Sequence, residues 1–294
     1  MSTILVTGAS GQFGRLVLDA LLASGKVAPA DIVAASRDTG KLAAYAEKGV
    51  TLRTADFDDA ATLDAAFQGI DKALIISTDA LAVPGQRLTQ HRNAVTAAKR
   101  ASVGRLFYTS LPNAETSAVT FAPDHLGTEE AIKASGLAYT ILRNSWYMEN
   151  LFLSLPSAIQ SGTWYTSAGD GRTSYVARAD LAAATAAALL GDETGNTTLT
   201  LTGPVGYTNA EVAALVSEIT GKPLAIVNLT DEQLAEGMAA AGLPGFLIPT
   251  FVSFDANTRL GHIEIVTDSV EALTGRPSTP LKTFLEANKA ALAG

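Results

Sequence analysis

The apolar, partly β-branched run Ile4-Leu5-Val6-Thr7 passes without a break into Gly8-Ala9-Ser10-Gly11-Gln12-Phe13-Gly14, and an Ala/Leu-rich stretch follows at once. Read together, these segments are a strand, a tight turn and a helix. In a parallel α/β sheet such a turn sits at the carboxyl end of the first strand. Glycines there let an anion approach the backbone, and the N–H groups of the helix's first turn, which lack intrahelical partners, point at it. The spacing is G-x-x-G-x-x-G rather than the G-x-G-x-x-G of ordinary dinucleotide-binding dehydrogenases. Three glycines in seven residues also suit a plain turn. Position, strand context and the features downstream decide for a nucleotide site carried by Gly8, Ser10, Gly11, Gln12, Phe13 and Gly14.

Strand and helix signals then alternate. Strand-like runs cover Thr3–Thr7, Asp31–Ser36, Thr51–Thr54, Lys72–Ser77, Arg105–Ser110 and Ala138–Arg143; helical patterns cover Gly14–Ala23, Gly40–Lys48, Ala60–Gln68, Gln86–Ala101 and Asp124–Ser135. Gly25, Gly49, Gly69 and Gly136 are placed to end helices. Strict β/α alternation implies a parallel sheet with helices on both faces, and an unbroken apolar strand such as Ala73-Leu74-Ile75-Ile76 implies burial on both sides. The Arg/His content of Gln86–Arg100 reads as a solvated helix face.

After about residue 150 the rhythm loosens. A helix is expected over Val176–Gly191, a short strand at Leu199–Leu201, and a helix over Thr208–Ile219 with Thr208 as N-cap and Glu211 completing a capping box. A strand over Pro223–Leu229, a helix opened by Thr230-Asp231-Glu232, Gly/Pro punctuation around Gly242–Pro249 and a last helix after Pro280 complete the chain. The predicted architecture is an α/β, Rossmann-type doubly wound sheet over residues 1–150. Residues 151–294 form a smaller C-terminal α/β substrate lobe, with some segments returning to the first domain.

Composition narrows the function classes. At 47% hydrophobic and 17% charged residues, the 294-residue chain is globular and large enough for a substantial core. A net charge of −8 with no Lys/Arg cluster argues against nucleic acid as a partner. Without cysteine there is no disulfide, thiol catalysis or Cys-ligated metal, and a reducing, cytoplasmic setting is expected. The N-terminus enters strand one directly, so no secretory signal is expected, and no apolar run approaches the ~18 residues of a membrane span. Oligomerisation stays open.

The end of strand two distinguishes NAD from NADP. NAD binders place a carboxylate there for the ribose hydroxyls; this chain has Ser36-Arg37, and a guanidinium neutralises a 2′-phosphate. NADPH is therefore expected over NADH, although Asp38 beside Arg37 leaves open a plain solvated charge. Asp56-Phe57 closes strand three, where the carboxylate could take the adenine amino group or Asp56–Asp59 could simply cap a helix. Ser77-Thr78 and Arg143-Asn144 end strands four and six on the carboxyl edge where open α/β sheets bind ligands.

The usual short-chain reductase pair is missing: none of the seven tyrosines has Lys four residues on. The three histidines, His91, His125 and His262, form no ligand-spaced pair, so no metal is expected, and no G-x-S-x-G nucleophile elbow occurs. Gly8–Gly14, Arg37, Tyr108-Thr109-Ser110, His125-Leu126-Gly127-Thr128-Glu129, Leu142-Arg143-Asn144-Ser145-Trp146-Tyr147-Met148-Glu149-Asn150 and Thr274-Gly275-Arg276-Pro277 together resemble the NmrA-like branch of atypical short-chain dehydrogenase/reductases, over essentially the whole chain. Many members have Lys where His125 stands; the quinone-reducing branch carries His.

The resemblance implies direct hydride transfer from NADPH to a quinone, which needs little beyond a flat, close placement and a polarised oxygen. Asn144 and Tyr147, with His125 as a further donor, are the polarising candidates; Trp146 and Phe152 would wall the ring. Each has a structural alternative: core packing for Trp146 and Tyr147, backbone ties for Asn144, helix capping at the surface for His125. Glu149 and Asn150 read as structural. Two other functions stay open, a non-enzymatic NADP(H) sensor of the NmrA type and a reductase of another conjugated acceptor such as a dye.

Overall fold

The computed structural model describes residues 2–292. From the N-terminus the elements are β1 (Ile4–Val6), α1 (Gln12–Ser24), β2 (Ile32–Ser36), α2 (Ala43–Ala46), β3 (Thr51–Thr54), α3 (Ala60–Phe67), β4 (Lys72–Ile75), α4 (Gln86–Arg100), β5 (Arg105–Ser110), α5 (Ala122–Ser135) and β6 (Ala138–Asn144). The sheet has seven strands in the order β3-β2-β1-β4-β5-β6 followed by Thr197–Leu201. Strands β1 to β6 pair in parallel, with Ile4 opposite both Ile32 and Lys72, and Lys72 opposite Arg105. The strand order reverses between β1 and β4, which creates the crevice at which doubly wound sheets bind their ligands. The central strands are apolar because helices cover both faces: β1, β2 and β5 are buried at every position.

The chain divides into two compact units, one comprising Met1–Leu111, Asp124–Arg143 and Leu181–Leu199, the other Pro112–Pro123, Asn144–Asp180 and Thr200–Gly294. In the first, Leu5, Val33, Leu63, Phe67, Ala73, Leu106 and Tyr108 share a core that α3 and α4 close. In the second, Leu155, Trp164, Val212, Val216, Leu281 and Leu285 form a separate core. This unit contains a parallel strand pair, Thr163–Thr166 with Ala225–Asn228, and an antiparallel one, Arg172–Thr173 with Tyr207–Thr208. Its helix Asn209–Thr220 begins with the predicted capping box: Thr208 Oγ1 accepts from the Glu211 N–H at 3.1 Å, and a Glu211 carboxylate oxygen accepts from the Thr208 N–H at 2.9 Å.

Several boundaries moved for identifiable reasons. The helix expected over Gly40–Lys48 is a 3₁₀ turn, Thr39–Leu42, followed by the short α2, because the Asp38 side chain accepts the Gly40 N–H and starts a tight turn. The expected strand Lys72–Ser77 stops at Ile75, where side chains take over the backbone bonds. The helix expected from Val176 begins at Arg178, since Val176 bridges to the chain at Tyr147: its N–H donates to the Trp146 carbonyl at 2.9 Å. The Gly/Pro punctuation at Gly242–Pro249 hid a helix, Ile248–Arg259, with Pro249 in its first turn, where no N–H is needed. Among the described residues no helix is long and apolar enough to cross a membrane.

Candidate active site

Within the first unit the glycine turn is specified by contact. Gly8 adopts φ +60°, a conformation that side chains disfavour. A Cβ on Gly14 would strike the Gly8 carbonyl oxygen and lie 2.7 Å from Ala9 Cα, so only glycine lets α1 pack this closely behind β1. The Gly11 N–H donates to the Gly8 carbonyl at 3.0 Å, and α1 starts at Gln12, whose first-turn N–H groups face out of the sheet's carboxyl edge. Gln12 is exposed, whereas Phe13 is buried. The Ser10 and Ser36 hydroxyls meet at 2.7 Å, and Arg15 holds the Ser10 carbonyl through Nε at 3.0 Å.

Arg37 is exposed and makes no hydrogen bond or ion pair among the described residues. Its neighbour Asp38 is engaged elsewhere, accepting the Gly40 N–H at 3.0 Å and facing Lys41 at 3.9 Å. Asp56 is half-buried and its Oδ1 accepts the Asp58 N–H at 3.1 Å; the cap of α3 is Asp59, which accepts from Ala61 at 2.9 Å and from Thr62. Phe57 is buried in the first unit's core, and its carbonyl accepts from Asn93 Nδ2 at 2.9 Å.

Beyond β4, three successive N–H groups donate to side chains from the turn after β1, from β5 and from α4. Ile76 gives to Thr7 Oγ1 at 3.1 Å, Ser77 to Thr109 Oγ1 at 2.9 Å and Thr78 to His91 Nε2 at 3.0 Å. Arg87 Nε donates to the Thr78 carbonyl at 2.6 Å. The segment runs beside the glycine turn: Ile76 Cβ would lie 3.4 Å from a Cβ at Gly8.

Behind this wall is a polar cluster. The solvated face expected for α4 holds for Arg92, Lys99 and Arg100 and is corrected for Arg87, Gln90 and His91, which are all buried. Arg87 and His91 stand four residues apart on one helix face and turn inward to β5 and α5. Because a guanidinium can only donate, Arg87 Nη2 gives its hydrogen to His125 Nε2 at 2.9 Å; the neutral ring then carries its proton on Nδ1, which meets Tyr108 Oη at 2.8 Å. By the same reasoning His91 accepts at Nε2 from Thr78 and donates from Nδ1 to Thr128 Oγ1 at 2.9 Å, and Thr128 donates to the Asp124 carbonyl at 2.6 Å. Burial, reinforced by the Arg87 charge, pushes His91 down to about 3 and His125 well below the usual imidazole range, while burial pushes the Tyr108 phenol up.

His125 is therefore not the surface cap allowed for above. Nor does it have a ring N–H to offer an acceptor, since both nitrogens are taken inside the unit. Arg143 is likewise engaged: Nε and Nη2 grip the two carboxylate oxygens of Glu129 at 2.9 and 2.6 Å, and Ser110 donates to the same carboxylate at 2.6 Å.

In the second unit, Asn144 at the end of β6 is 6% exposed, and neither atom of its side-chain amide has a hydrogen-bond partner among the described residues. The backbone-tie alternative for this side chain finds no bond to support it. Tyr147 lies under Arg178, whose guanidinium carbon is 5.0 Å from the ring centroid. Glu149 accepts the Arg178 N–H at 3.1 Å and Asn150 accepts from its Nη2 at 3.1 Å, so both acidic and amide side chains serve the start of the helix Arg178–Leu190. Trp146 packs edge-on to Phe254 at 4.6 Å, and Phe254 also meets Phe121 at 6.1 Å and Phe251 at 5.6 Å. Phe152 instead stacks on Phe284 at 5.7 Å. No group of three or more His, Asp or Glu residues capable of holding a metal occurs among the described residues.

Sequence reasoning missed the histidine cluster, for which the i, i+4 spacing of Arg87 and His91 was a signal. It marked Phe246–Phe254 as pocket-shaping, but not the packing of Phe254 on Trp146, Phe121 and Phe251.

Comparisons with known proteins bear on the family and the fold. A model of the NmrA-like family matches residues 1–280. The chain is 37% identical over 279 residues to quinone oxidoreductase 2 of Escherichia coli (strain K12), covering 95% of this chain and 96% of that one. Among solved structures, an NADPH-dependent quinone oxidoreductase from Escherichia coli complexed with NADPH superposes with a TM-score of 0.92 at 36% identity, over 97% of this chain and 99% of that one. Triphenylmethane reductase from Citrobacter sp., complexed with NADP(H), gives a TM-score of 0.89 at 33% identity, over 98% and 99% of the two chains.

Proposed function

The chain belongs to the NmrA-like family, and from that membership we propose that it is an NADPH-dependent quinone reductase. NADPH, when bound, supplies the hydride from its nicotinamide ring. The residues present suit it. The glycine turn of Gly8, Ser10, Gly11, Gln12 and Gly14 takes the pyrophosphate against the first N–H groups of α1, with Phe13 anchoring that turn from the core side. Arg37, exposed and without a partner, takes the 2′-phosphate, and no free carboxylate competes because Asp38 is tied to Gly40 and Lys41. Asp56, the backbone at Phe57, and Ser77-Thr78 line the rest of the nucleotide's path on the sheet's carboxyl edge. Arg143 acts there through its backbone, its guanidinium being held by Glu129.

The observation that carries the reductase reading is Asn144. A buried amide with neither atom paired is costly, and its cost is met when a ligand supplies the partner. In this reading its NH₂ donates to a quinone oxygen, which gains negative charge as the ring is reduced. Tyr147 is the second polar group offered to the acceptor and Trp146 the flat apolar one. His125 leaves this set, since its two ring nitrogens bind Arg87 and Tyr108. The reaction is placed in the cytoplasm, in keeping with a cysteine-free chain. A conjugated dye is the second acceptor class, favoured by the likeness to a triphenylmethane reductase.

The test is NADPH oxidation followed at the nicotinamide absorbance with benzo- and naphthoquinones and a triphenylmethane dye. Quinone-dependent turnover, preferring NADPH over NADH, is expected. Tight NADPH binding with no turnover on any acceptor would overturn the proposal in favour of a redox sensor.

A further inference from the structure

The segment beside Gly8 has no sheet to hold it. After Ile75 the chain leaves β4, and the N–H groups of Ile76, Ser77 and Thr78 are satisfied one by one by Thr7, Thr109 and His91. Thr7 and Thr109 belong to or border strands that are already fixed. His91 is different. It reaches Thr78 from a helix, it has no exposed surface, and its partner is the last residue of the segment before the exposed Asp79. The Thr78 peptide is clamped from both ends, with its N–H on His91 Nε2 at 3.0 Å and its carbonyl on Arg87 Nε at 2.6 Å.

We propose that His91 is a positioning residue for the nucleotide crevice, acting through its Nε2 lone pair on the Thr78 N–H. The proposal rests on the NADPH reading above. Its other arm, Nδ1–H to Thr128 Oγ1, ties α4 to α5 and serves the fold alone. Without that acceptor the Thr78 N–H is left unpaired and Thr78 is held through its carbonyl by Arg87 alone, so Thr78 loosens at the crevice while Ser77 stays on Thr109. The two ring nitrogens make this testable, because two amides each reproduce one of them. An asparagine amide ends at the depth of Nδ1 and can serve Thr128 but not Thr78. A glutamine amide extends to the depth of Nε2, and its oxygen can accept from Thr78.

The experiment compares NADPH dissociation constants, read by nicotinamide fluorescence, for the wild type, His91→Gln, His91→Asn and Thr128→Val, with thermal unfolding of each. His91→Gln and Thr128→Val are expected to bind within about threefold of the wild type, and His91→Asn about tenfold more weakly, the size of one lost hydrogen bond. In turnover with 1,4-naphthoquinone, His91→Asn should raise KM for NADPH by about the same tenfold with less than about a threefold loss in kcat, as a positioning role requires. Equal binding by the two His91 variants, or a loss in Thr128→Val as large as in His91→Asn, overturns the proposal. A measurement that needs no variant guards against misfolding: amide exchange at Thr78 should be strongly slowed in the nucleotide-free wild type, and fast exchange there overturns the proposal as well. Wild-type protein that binds no NADPH would overturn the functional reading itself; wild-type binding that ignores His91 overturns this inference alone.

Discussion

Glu129, with no exposed surface, holds Arg143 by both carboxylate oxygens, at 2.9 Å to Nε and 2.6 Å to Nη2. The pair sews α5 to β6 beneath the carboxyl edge of the sheet. Removing one partner strands a buried charge, so Glu129→Ala should cost about 3–5 kcal/mol of unfolding free energy in urea, far more than an exposed pair such as Lys41–Asp38 would. Replacing both residues with apolar ones of similar volume should recover most of that loss.

Arg37 faces solvent with no internal bond, so its removal costs little stability. Arg37→Ala should weaken NADPH about ten- to a hundredfold while leaving NADH within about twofold, the loss of a charge-assisted contact. Steady-state KM values for the two nucleotides check this. An equal effect on both would place the guanidinium away from the 2′-phosphate.

Gly14→Ala adds one carbon into the Gly8 carbonyl and 2.7 Å from Ala9 Cα, both backbone atoms that cannot swing aside. The strain should lower stability by about 1–3 kcal/mol and displace the turn enough to abolish measurable nucleotide binding. Gly25→Ala is the control, because a Cβ there meets nothing within 4 Å and its only penalty is the left-handed backbone at φ +63°.

Asn144→Ala should reduce kcat with quinones by about a hundredfold, the scale of one lost donor to a developing oxyanion, without changing NADPH affinity. Its stability should hold or rise, since the variant removes an unpaired buried amide. A clear destabilisation would mean that the amide serves the fold.

The buried histidines set an acid limit. His91 titrates near 6.5 in the unfolded chain and near 3 in the folded one, so the unfolded state binds more protons between those values. Stability is then fully present above about pH 6.5 and falls as pH drops, by up to about 1.4 kcal/mol per pH unit from this residue; His125, also pushed down by burial, adds in the same direction. Unfolding midpoints measured from pH 7 to 4 should show this slope, and His91→Gln should flatten it.

The glycine run and the alternating strands were legible in the chain because each acts through local rules: backbone freedom at Gly8 and Gly14, period and burial in β1 to β6. The capping box at Thr208 and Glu211 was legible for the same reason, its partners being three residues apart. The sequence by itself therefore determined the doubly wound sheet and the glycine turn at the end of its first strand. Tertiary structure alone decided what the polar side chains do. Arg87, His91, Tyr108, His125 and Thr128 come from α4, β5 and α5, and only when those elements pack do two histidines 34 positions apart stand with ring centroids 6.5 Å from each other. The same holds for Phe254, which meets Trp146 across more than a hundred residues of chain. Direction of a side chain depends on which face its helix buries, and that face is chosen by partners far away in the sequence.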